Sequence, residues 1–153
     1  MTRGEGVDAA EIPQTVQGLK DAYARRELSP VEVTEALLRR ALDSQATINA
    51  FIAITAEQAM GQARDAERMI AGGARTPLLG IPVTLKDLFD QRGVPTTAGS
   101  PLWKDAVADA DAPVVRRMFE AGAISLGKTN LHECAYGITN DNPHYGAVHN
   151  PWD

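Results

Sequence analysis

Leu79-Gly80-Ile81-Pro82-Val83-Thr84-Leu85-Lys86-Asp87 is the stretch on which the fold turns. Its apolar and β-branched residues read as a strand. Pro82, with no N–H to give to a ladder, sets that strand at its start or at a sheet edge. Two further short apolar runs, Asn49-Ala50-Phe51-Ile52-Ala53-Ile54 upstream and Ala123-Ile124-Ser125-Leu126 downstream, read the same way.

Helical patterns separate these runs. Gln14–Leu28 carries apolar residues at helical spacing. Ser29-Pro30-Val31-Glu32 is a capping box, with a hydroxyl at the cap, proline at the first helical position and glutamate three residues on. It opens an amphipathic helix from Val31 to about Asp43 with Val33, Leu37, Leu38 and Leu42 on one face. Thr55 with Gln58 is expected to cap a second helix through Ala59, Ala63, Ala66 and Ile70, which Gly72-Gly73 stops. Asp111 is expected to cap a third over Ala112–Ala121, and Asn130–Glu133 a short last one. Glycines, prolines and threonines make Asp90–Asp111 a long irregular loop, and Ile138–Asp153 is loop-like. The alternation of strand and helix predicts an α/β architecture with helices covering a sheet.

With 153 residues, 44% of them hydrophobic and 23% charged, the chain has enough apolar surface for one core. A formal charge of −5 supplies no basic field, so neither nucleic acid nor a membrane surface is an expected partner. The polar start of the chain has no signal-peptide pattern, which makes a cytoplasmic location the expectation, and the single Cys134 forms no internal disulfide. Residues 1–13 are expected to form a flexible arm ahead of one domain over residues 14–153.

Gly122-Ala-Ile-Ser-Leu-Gly127-Lys128-Thr129 matches the phosphate-binding P-loop letter for letter. The context argues against that reading, because Gly122 follows a helix and Ala-Ile-Ser-Leu is strand material. His132, His144 and His149 stand near Glu133, Cys134 and Asp141 without metal-ligand spacing, and the position four beyond His132 is Tyr136. Lys86 ends an apolar run. Read locally, it is a strand-end lysine that reaches water or pairs with Asp87. The alternative is a partly buried amine whose neutral form is favoured, fit to act as a general base.

Four blocks in order tip that balance: Gly80–Asp87, Gly93-Val-Pro-Thr-Thr-Ala-Gly-Ser100, Gly127-Lys-Thr-Asn130 and Asn150-Pro-Trp-Asp153. Together they resemble the amidase signature family, from about Ser29 onward. The resemblance implies part of a mixed β-sheet covered by helices on both faces, and hydrolysis of a carboxamide by serine, cis-serine and lysine without metal or organic cofactor. It assigns Lys86 as the triad lysine and Tyr136 and Gly137 as lining the acyl pocket. It also makes Gly127–Asn130 a turn of the family instead of a phosphate site. Tyr136 and Gly137 read equally well as a helix C-cap with a packed aromatic.

The serines Ser29, Ser44, Ser100 and Ser125 lie in no Gly/Ser-rich segment, and the sequence stops at Asp153. The expectation is an N-terminal portion that is inactive alone, with unpaired strand edges and exposed apolar faces. A small-molecule amide is the expected partner, and self-association is left open. Leu131-His-Glu-Cys-Ala-Tyr-Gly137 departs from the Asp-Glu-Phe type sequence of tRNA-dependent amidotransferase A subunits, which favours a free-standing amidase. Part of such an amidotransferase and a non-catalytic binding module are the alternatives.

Overall fold

The computed structural model describes residues 7–152. Residues 1–6 of the expected arm and Asp153 lie outside them. The rest of that arm is packed: Asp8 caps a 3-10 turn at Ala9–Glu11, and Ile12 is buried with Leu19, Tyr23 and Val33.

Four helices follow the chain order, α1 (Val16–Ala24), α2 (Pro30–Ile48), α3 (Ala56–Ala71) and α4 (Pro113–Glu120), with strands β1 (Phe51–Ile54), β2 (Pro82–Lys86) and β3 (Ile124–Thr129). The Ser29 capping box forms as read: Ser29 Oγ accepts from Glu32 N, and Glu32 closes back on Ser29 N at 2.9 Å. α2 runs past Asp43 to Ile48, where Gln45 bonds both the N–H and the C=O of Phe51 and ties the helix end to β1. The buried line of α2 is Val33, Thr34, Leu38 and Ala41, and Leu42 faces solvent. Ala59, Ala63 and Ala66 of α3 are buried against Leu38, Ile124 and Leu126, so the small side chains let α3 approach both α2 and the sheet.

Two expected caps are diverted. Thr55 Oγ1 donates to Ser125 O at 3.3 Å, and Gln58 Oε1 accepts from the buried Gln91 at 2.7 Å, so neither caps α3. Asp111 accepts from Arg92 N at 2.7 Å, and Ala112 stands at the N-cap of α4. In both cases a tertiary donor or acceptor replaces the local one.

The sheet is mixed, in the order β1-β3-β2, with β1 antiparallel and β2 parallel to the central β3. The chain is therefore α/β, and β2 is the edge strand that Pro82 announced. β3 continues through Gly127-Lys128-Thr129, so this segment is strand and not the turn expected of it. The register slips inside it: Val83 pairs with Ser125, but Leu85 pairs with Lys128. One extra residue in β3 is a bulge, which re-aims the side chains beyond it. Gly127 is the only residue type that fits there. Its φ is 153°, and a Cβ would overlap the Ala53 carbonyl oxygen on β1.

Candidate active site

β2 and β3 run parallel and end side by side at Lys86 and Thr129. Ligands of α/β sheets gather beyond the carboxyl ends of such strands. The start of β2 is held by Tyr23, whose hydroxyl donates to Gly80 O at 2.9 Å, and burial pushes that phenol well above its ordinary value. Gly80 has a φ of 77° and lies flat against Pro30 and Tyr23, where a Cβ would come within 3.0 Å of both.

Along β2 burial alternates: Thr84 exposed, Leu85 buried, Lys86 exposed, Asp87 buried. The partial burial expected of Lys86 is therefore not found. Its side chain stands in the open at the strand end, on the face opposite Asp87, and among the described residues it makes no hydrogen bond or ion pair. The buried lysine is Lys128. Val83 and Leu85 share a face of β2, so their partners Ser125 and Lys128 share a face of β3 although they are three residues apart. The bulge thus turns Lys128 inward, where it is 0% exposed.

Lys128 and Asp87 form an ion pair at 2.7 Å, with both side chains fully buried. Lys128 Nζ also donates to Pro95 O at 3.2 Å and to Thr96 Oγ1 at 3.0 Å. Asp87 is a hub. Its Oδ2 accepts from the N–H and the hydroxyl of Thr97, its N–H donates to Thr129 O, and its C=O accepts from Ala98 N. These bonds satisfy a buried charge and fasten the loop Val94–Ser100 to the strand end.

The other side of that loop is fastened to the chain after β3. Ala98, at φ 50°, accepts from Cys134 N at 2.7 Å. Asn142 Nδ2 donates to Gly99 O and Leu131 O, both at 2.8 Å, and leaves no room for a side chain on Gly99. A hydrogen bond from Ser100 and the nearby His144 hold Glu133 below its usual carboxylate range, with His144 Nε2 at 3.3 Å from Glu133 Oε1.

The remaining site residues are dispersed. Tyr136 is 90% exposed, so it is not the packed aromatic expected beside a C-cap glycine. Gly137 lies face to face with the His132 ring, which a Cβ would approach to 2.5 Å. The expected short helix over Asn130–Glu133 is a 3-10 turn at Glu133–Ala135, with Cys134 and Ala135 both at positive φ. No serine pairs with Lys86. Ser29 caps α2, Ser44 donates to Ala41 O, Ser125 donates to Gln91, and buried Ser100 bonds Leu102 N and Glu133. Among the described residues no three His, Cys, Asp or Glu converge to hold a metal, and no helix is long and apolar enough to cross a membrane.

The sequence reading gives Thr97 and Asn142 no role, and weighs Asp87 only as a partner for Lys86 and Lys128 only as the lysine of a phosphate-loop pattern. A signal existed for one of them, since a glycine inside a strand pattern marks a bulge. The Asp87–Lys128 pairing across 41 positions left no local trace.

Comparison with known proteins places this fold. The Amidase family model matches residues 32–153. The A subunit of glutamyl-tRNA(Gln) amidotransferase from Azoarcus sp. (strain BH72) is 47% identical over 142 residues, covering 93% of this chain and 29% of that protein. Native peptide amidase from Stenotrophomonas maltophilia superposes with a TM-score of 0.83 at 32% identity, over 92% of this chain and 30% of that one. A protein complex solved in tracing the origins of an s-triazine catabolic enzyme superposes at 0.82 with 38% identity, over 96% and 31%. The chain thus spans under a third of the length of these relatives. With the family model running from the first turns of α2 through β2, the Val94–Ser100 loop and β3, the chain belongs to the amidase signature family.

Proposed function

We propose that the protein containing these residues hydrolyses a carboxamide to a carboxylate and an amine or ammonia, with Lys86 as the proton-accepting amine of a serine, cis-serine and lysine relay. The observation that carries this is the placement of Lys86. Its backbone is fixed by the β2–β3 ladder and by the Asp87 hub, while its side chain is unengaged at the carboxyl end of the parallel pair. A serine hydroxyl is a weak nucleophile until a neighbouring base takes its proton, and a neutral amine at a strand end can be that base. Each hydroxyl of the four serines here is committed elsewhere, so the 153-residue chain alone is expected to be inactive. Tyr136 and Gly137, in the turn fastened to the Val94–Ser100 loop, are proposed to line the acyl pocket, and the exposure of Tyr136 supports a contact with substrate.

The test is release of ammonia or amine from small aryl and alkyl carboxamides by the longest natural polypeptide that contains these residues. Lys86→Ala is expected to lower kcat/KM by about 10²–10⁴ or more. An unchanged rate would remove Lys86 from the mechanism.

A second setting is favoured by the 47% identity to an amidotransferase A subunit. In it the chain is part of an amidotransferase A subunit that works with a partner glutaminase. The segment Leu131–Gly137 speaks for the free-standing enzyme. Glutamine hydrolysis that appears only with a co-purifying partner decides for the complex, and turnover of simple carboxamides without a partner decides for the free enzyme.

A further inference from the structure

The buried ion pair directly adjoins Lys86 in the chain. Asp87 directly follows Lys86 on the opposite face of the strand end, so the two side chains do not meet, but an uncompensated buried carboxylate one residue away would still act on the amine through its field. That field would favour the ammonium form of Lys86, which cannot accept a proton. The structure gives Asp87 a different partner. Lys128 meets it at 2.7 Å on the face away from Lys86, and Thr97 occupies its second oxygen. We propose that Lys128 is a positioning residue that sequesters the charge of Asp87, so that this carboxylate does not hold Lys86 in the ammonium form; the proposal rests on the reading of Lys86 as the relay base.

Three observations support it. Two lysines flank one aspartate, and the bulge at Gly127 is what turns the distant one inward and onto it. The pair is net neutral and 0% exposed on both sides, so its two charges cancel at short range and little of the Asp87 field is left to act on Lys86. The surroundings supply little competing charge. On β1, residues Phe51–Ile54 carry no titratable side chain, and neither does the loop Val94–Ser100. Beyond Lys128 on β3, the titratable residues that follow these strand ends in the chain are exposed Asp90 after β2 and, after β3, His132, Glu133, exposed Cys134 and exposed Tyr136, with His144 against Glu133.

The consequence has a sign. With Lys128 made neutral, the uncompensated Asp87 favours the ammonium form of Lys86. With Asp87 made neutral, the uncompensated Lys128 disfavours it. The measurement is the pH profile of kcat/KM for carboxamide hydrolysis by the longest natural polypeptide containing these residues. In Lys128→Met the acid limb is expected to move to higher pH by on the order of one unit. In Asp87→Asn it moves to lower pH, and in the double variant it returns near the wild-type position. A purely structural pair would lower the rate or the stability without displacing the limb in opposite directions.

Lys86→Ala separates the two layers. Activity surviving in Lys86→Ala overturns the assignment of the base and the proposal with it. Activity lost in Lys86→Ala, with the limbs of both single variants on the wild-type limb, overturns the proposal alone. Should Lys128→Met fold too weakly to assay, Asp87→Asn carries the same test with the opposite sign.

Discussion

Lys86 and Lys128 sit one register step apart on neighbouring parallel strands, yet one stands in solvent and the other is fully buried. Both follow an apolar run and both are followed by a polar residue, so composition does not separate them. Partner and phase do. β2 keeps a strict alternation that sends Lys86 outward, whereas the extra residue at Gly127 shifts the phase of β3 and sends Lys128 toward Asp87. A lysine enters a protein interior only where a counter-charge and hydrogen-bond acceptors are already in place, and Asp87, Pro95 O and Thr96 Oγ1 meet that condition. The exposed lysine keeps its conformational freedom. The buried one gives it up for structure.

The largest expected effect follows directly. Lys128→Met leaves Asp87 charged and without its counter-ion in the interior, and should destabilise the protein by about 3–5 kcal/mol. Lys86→Ala removes an exposed side chain with no hydrogen bond or ion pair among the described residues and should change stability by less than about 0.5 kcal/mol. Urea unfolding of both variants breaks the comparison if the two midpoints shift alike. The double variant Lys128→Met, Asp87→Asn should recover much of the loss, since it removes both charges together.

The bulge is the next place to press. Gly127→Ala puts a Cβ onto the Ala53 carbonyl and an L-residue at φ 153°, with an expected cost of about 3 kcal/mol from strain and displaced ladder bonds. If the phase of β3 is what buries Lys128, the same substitution should raise hydrogen exchange at Thr96 and Thr97, whose loop the buried pair holds. Unfolding at the wild-type urea midpoint would show that the bulge is incidental.

Local features were legible in the sequence to the extent that their partners are local. The Ser29 capping box acts within three residues and is found as read, as are the alanine face of α3 and the edge placement of Pro82. Thr55 and Asp111 looked equally good as caps. Their oxygens are instead taken by Ser125 O and Arg92 N, groups 70 and 19 positions away. The site divides in the same way. Lys86 was marked by resemblance, while its exposure, the burial of Lys128 and the hub at Asp87 depend on a register shift and a loop crossing that no local pattern encodes. Gly137 was marked without its reason, which is the His132 ring against it.

The smallest effect contrasts the buried pair with the half-exposed pair nearby. Glu133 is held below its usual 4.5 chiefly by the Ser100 hydrogen bond, with His144 and His132 adding to it. A carboxylate depressed in the folded state binds protons more readily when unfolded, so its contribution is present above the usual carboxylate range and is lost as pH falls through the depressed value. Glu133→Gln should therefore melt slightly below wild type at neutral pH, and the two should converge as the solution is acidified below pH 4.5. Salt should shrink the neutral-pH difference, because both side chains of the Glu133–His144 pair are more than a third exposed and screened. The Lys128→Met loss should hardly respond to salt, since its charges never meet the ions. A salt response of the same size in both variants would mean that the buried pair is wet, and would erase the distinction between the two lysines on which the geometry of this strand end depends.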